Sequence, residues 1–143
     1  MNVRPSTEAL RDLARKLIEL EASAVVSIDP DLPAAARVCE AVRRPLCVLA
    51  GTAGFRALLS RALSLAKAKA PGLNMVRISP DGSVEGFSDL ALSDDPEAGL
   101  VLISELLELM AVLIGQDLTL TILDGVWPDF RNFRAGSNGA KQP

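Results

Sequence analysis

Histidine and tyrosine are absent from this 143-residue chain, and whole classes of chemistry go with them. Without histidine there is no phosphohistidine relay and no Ser-His-Asp or Cys-His nucleophile. The Glu-x-x-His element of di-metal carboxylate bundles is excluded for the same reason. Any acid–base work falls to carboxylates or lysines. Two cysteines, Cys39 and Cys47, are too few for a disulfide scaffold or a cysteine-ligated zinc. On one straight helix they would stand about 12 Å apart along the axis, beyond disulfide reach, so they read as small buried apolar residues. No catalytic, cofactor-binding or metal-ligating set is expected, and no cofactor.

Aromatic residues are equally scarce, at 3% against 49% hydrophobic residues overall. The core must therefore be built from Leu, Val, Ile and Ala, which favours packed helices over a β-sandwich. No apolar leader is expected, because the first residues run straight into a charged amphipathic segment. A cytoplasmic location is the expectation.

Charge of one sign is missing locally. Residues 1–72 sum to +4, residues 73–130 to −10 with one cation among them, and residues 131–143 to +3. The acidic second half makes nucleic acid an unfavoured partner. It is compatible with basic and acidic surfaces docking within a protomer or between two.

What the chain has in quantity is a run of aliphatic residues from Leu100 to Gly115. At helical spacing, Ser104, Glu108, Ala111 and Gly115 form one narrow strip, flanked by Glu105, and nearly every other position is Leu, Val, Ile or Met. A surface helix carries an apolar stripe little wider than 100°, so this helix needs cover on at least two sides. Its apolar length falls short of the roughly 20 residues of a membrane span, and no membrane partner is expected.

Around it the pattern predicts an α+β, mainly helical domain. Four to five helices pack on a central apolar helix at about 97–114, with one β-hairpin at about 73–87. Residues 1–130 form the single domain, and 131–143 a flexible basic tail. Leu10, Leu13, Ala14, Leu17 and Ile18 define an amphipathic helix over about 6–22. Residues 24–28 are ambiguous between helix and strand. A helix over 32–44 reaches Pro45, the apolar run 46–50 reads as its kinked continuation with a buried strand as the alternative, and residues 51–54 break it. Phe55 then opens a helix to about Ala70, stopped by Pro71 and Gly72.

The hairpin rests on strands 73–79 and 83–87 joined by Pro80, Asp81 and Gly82, where proline sets φ and glycine takes the left-handed conformation. Acidic residues at 94–97 suit the start of the central helix. Residues 116–124 read as a short helix, with a strand at 118–122 as the alternative. The glycines of 49–54 have only a weak likeness to a phosphate cradle, because two residues rather than four separate them and no Lys-Ser/Thr follows.

Three function classes follow. The leading one is a non-enzymatic regulatory or protein–protein interaction module, self-associating as a homodimer or homo-oligomer through surplus apolar helix surface. Its candidate interaction residues are Leu102, Leu106, Leu109, Met110, Leu113, Trp127, Phe130 and Phe133. The second is a small-ligand protein with an apolar pocket between helices. The third is a carboxylate-dependent enzyme, for which Glu105 and Glu108 are the candidate polar site.

Overall fold

Leu10, Ala14 and Leu17 lie one turn apart, and all three are buried along one face of α1, Thr7–Ala22. The computed structural model describes residues 7–22, 34–86, 97–128 and 130. Among these, four helices and one two-stranded hairpin share a single hydrophobic core. The ambiguous segment 24–28, the acidic residues before Glu97 and the basic tail lie outside the described residues.

The second helix, α2, spans Ala34–Lys69 and runs through Pro45. Its break is narrower than the composition of 51–54 predicts. Gly51 alone leaves the helical region, at φ 81° and ψ 163°, and the helix resumes at residue 52 rather than at Phe55. That φ/ψ pair is open essentially to glycine alone, so one residue suffices to join two helical arms, 34–50 and 52–69. By length and composition α2 is apolar enough to cross a membrane. Eleven of its residues, from Ala35 to Ala66, are buried in this fold.

The start of the predicted first strand, residues 73–75, belongs instead to a 3-10 helix, Pro71–Met75. Proline suits the opening of a helical turn, and the amides of Leu73 and Val76 donate to the carbonyls of Ala70 and Leu73. Only β1 (Arg77–Ile78) and β2 (Val84–Glu85) pair, antiparallel, with Arg77 opposite Glu85 and Ile78 opposite Val84. The ladder ends at Gly86, whose φ is 90° and whose Cα comes so close to Met75 that an added Cβ would lie 2.2 Å from its carbonyl oxygen. The turn itself is as expected. Gly82 N–H donates to the Ser79 carbonyl and Ser79 N–H to that of Ser83. The Ser83 hydroxyl, and then its amide, donate to Asp81 and hold that carboxyl below the usual carboxylate range.

The organising helix, α3, spans Ala98–Ile114, and α4 spans Gln116–Val126. Helix α3 packs on α1, α2, α4 and the 3-10 turn, and α2 likewise touches the other three helices. Leu102, Ile103, Leu106, Leu107 and Met110 are fully buried, each contributing roughly 1.5–3 kcal/mol of burial. Gly115, at φ 92° and ψ 153°, separates α3 from α4 in nearly the same conformation that Gly51 adopts in α2.

The helical alternative holds at 118–122. Thr119 and Thr121 return their hydroxyl hydrogen bonds to the carbonyls of Gly115 and Asp117, which lets β-branched polar residues sit inside a helix.

Candidate functional site

A shallow cleft between α1, α3 and the end of α2 gathers the two predicted carboxylates. Glu105 and Glu108 line it with Leu10, Arg11, Lys69, Val101 and Ser104. Glu108, on the polar strip, is half-buried. Glu105, one position off the strip's centre line, is the deeper of the two, with a side chain only 8% exposed.

Its partner is Lys69. The ammonium donates to Glu105 Oε2, and Lys69 is itself 55% exposed. Water reaches the cation but hardly the anion, so the ion pair supplies what solvent cannot. Ser104 is buried beside it and donates to the carbonyl of Leu100, one turn back. The cleft thus holds two carboxylates and two cations, with its deepest carboxylate already paired.

A second polar cluster ties together chain segments distant in sequence. Trp127 Nε1–H donates to Glu21 Oε2 at 2.9 Å. Arg37 donates to the Glu21 carbonyl at 2.8 Å, and its Nε lies 3.5 Å from Oε1. A buried indole N–H seeks an acceptor, and here the acceptor is a carboxylate 106 residues earlier. Its effect is to clamp the ends of α1 and α4 to the start of α2.

Of the predicted interaction residues, Leu102, Leu106, Met110, Trp127 and Phe130 are buried under this chain's own elements, and Leu109 is partly buried. Leu113 is 66% exposed. Phe133 lies outside the described residues.

Among the described residues, five of the six exposed large hydrophobic side chains sit instead at the two glycine breaks; the sixth, Met75, lies in the 3-10 turn. Val48 (84% exposed) and Leu49 precede Gly51, and residues 48–53 are all exposed. Val112 and Leu113 precede Gly115, and Leu118 follows it. At both glycines an added Cβ would meet nothing within 4 Å, so each break faces open space.

Both cysteines are free. Burial pushes the Cys39 thiol up to about 12, with the charge of neighbouring Glu40 adding to the effect. Among the described residues no group of three or more Cys, Asp or Glu side chains is placed to hold a metal ion. Compared with protein-family models, characterised proteins and solved structures, the chain matches none.

Proposed function

We propose that this chain is a non-enzymatic interaction module, a regulatory domain that self-associates through the aliphatic surface at its helix breaks. The observation that carries this reading is the exposure of Val48, Leu49, Val112, Leu113 and Leu118 at the two breaks, while the rest of α3 is covered from within. Exposed aliphatic side chains gathered at two points, rather than scattered singly, mark contact surface. The pairing of Glu105 with Lys69 supports the same reading, since it gives the most buried carboxylate a structural partner.

Light scattering on the whole chain tests it. The expected mass at tens of micromolar is about twice the 15.1 kDa protomer, as a closed two-fold dimer requires. Val48→Lys and Leu113→Lys should each shift the protein towards the protomer mass while keeping the helical circular dichroism spectrum of the folded chain, and should lower Tm only by the part that association contributes. A strict monomer at that concentration would overturn the proposal.

A further inference from the structure

The two breaks share a backbone conformation and an exposed aliphatic tip, yet they differ in charge. Residues 41–80 contain seven Lys or Arg and no Asp or Glu, whereas residues 78–130 contain eleven Asp or Glu and no Lys or Arg. Gly51 lies inside the first stretch and Gly115 inside the second.

At the first break, exposed Arg44 stands one turn before Val48 on the same helix face, and exposed Arg56 follows within the second arm. At the second, Glu108 stands one turn before Val112, and exposed Asp117 adjoins Leu118. Among the described residues, no ion pair engages Arg44, Arg56, Glu108 or Asp117.

We propose that the occupant of each break is the other break of a second copy of this chain, an inference that rests on the self-association reading above. The basic tip at Gly51 of one protomer seats against the acidic tip at Gly115 of its partner. Like tips cannot pair, because their aliphatic contact would bring arginines against arginines or carboxylates against carboxylates. Unlike tips bring Val48 and Leu49 to Val112, Leu113 and Leu118 with opposite charges around the rim. Two-fold symmetry then uses each tip once and closes the assembly at two copies. Complementary rims fix partner choice and register, while the aliphatic residues supply the buried area.

Charge reversal and mixing provide the test, on full-length chains. One variant carries Arg44→Glu with Arg56→Glu, the other Gln116→Lys with Asp117→Lys. These four positions are exposed, and circular dichroism melts confirm that both variants fold. Each variant alone should sediment as a monomer at a concentration where the wild type is dimeric. Their equimolar mixture should restore a dimer, because each reversed tip now faces its complement.

Raising the salt from about 0.05 M to about 0.5 M should weaken the wild-type dimer by roughly ten-fold or more, as the Debye length contracts. If either double variant fails to fold, the single pair Arg56→Glu and Asp117→Lys carries the same comparison. A dimeric wild type with variants that still dimerise alone, or whose mixture stays monomeric, overturns the reciprocal pairing and leaves self-association standing. A monomeric wild type overturns both. So does a monomer that binds phosphatidylserine-containing vesicles through Val48 and Arg56, which would make the basic tip a lipid contact.

Discussion

Removing the cation of the Glu105–Lys69 pair should cost more than removing the anion, even though the cation is the more exposed partner. Lys69→Met keeps the aliphatic stem and deletes the charge, leaving a carboxylate only 8% exposed without its counter-ion. Breaking a fully buried pair in this way costs about 3–5 kcal/mol. Here Lys69 is 55% exposed, so water can enter where the ammonium was, and screening reduces the figure to about 1–2 kcal/mol. For a domain of this size that lowers Tm by roughly 3–8 °C.

Glu105→Leu acts in the opposite sense. It places an aliphatic side chain among Leu10, Val101 and their neighbours and frees Lys69 to extend into water, so the change should lie between neutral and about 1 kcal/mol stabilising. The double variant should match Glu105→Leu to within about 0.5 kcal/mol, because the charge that needed Lys69 is gone. Urea unfolding followed by circular dichroism measures all three against the wild type, provided m is unchanged. A Glu105→Leu variant less stable than Lys69→Met, or single effects that simply add, would refute this ordering.

Two further predictions concern the glycine breaks and the buried thiol. Gly51→Ala and Gly115→Ala meet no steric neighbour, so any cost is conformational; each should destabilise by about 1–3 kcal/mol in thermal or urea unfolding, and wild-type stability in both would contradict the assigned backbone. The unfolded chain releases the Cys39 proton near pH 9.0, while the folded chain holds it up to about 12. The contribution is therefore fully present below pH 9.0 and shrinks as pH rises towards 12. The wild type should lose roughly 1 kcal/mol per pH unit above 9 relative to Cys39→Ala, and parallel pH profiles for the two would refute the burial of the thiol.

Legibility in the sequence followed the range of the interaction involved. Apolar periodicity placed α1, both arms of α2 and α4, because a buried helix face is written in neighbouring turns, and the unbroken aliphatic run placed α3. The Pro80-Asp81-Gly82 turn was equally readable, since its hydrogen bonds close within five residues.

The N-terminal part of the first strand was not readable. Residues 73–76 alternate plausibly in a sheet, yet Pro71 starts a 3-10 turn and Gly86 closes the ladder through its approach to Met75, a contact across eleven positions. The clamp of Trp127 on Glu21 was further out of reach, because nothing local identifies which distant carboxylate a buried indole will find. The carboxylate pair was located, but Glu105 rather than the strip residue Glu108 went deep, since Lys69 arrives from another helix to receive it. The burial of Leu102, Leu106 and Met110 was out of reach for a related reason. An all-round apolar helix announces a need for cover, but not that α1, α2 and α4 supply it everywhere except near Gly115.

Hydrogen exchange measured by mass spectrometry at two protein concentrations is the sharpest test of the reciprocal dimer, because it reports where a second copy lands as well as whether it does. Between about 1 µM and about 100 µM, added protection should appear in peptides covering 46–56 and 108–118 together, with the peptides of α1 unchanged. Protection that is independent of concentration throughout, or that rises at one break without the other, would contradict it.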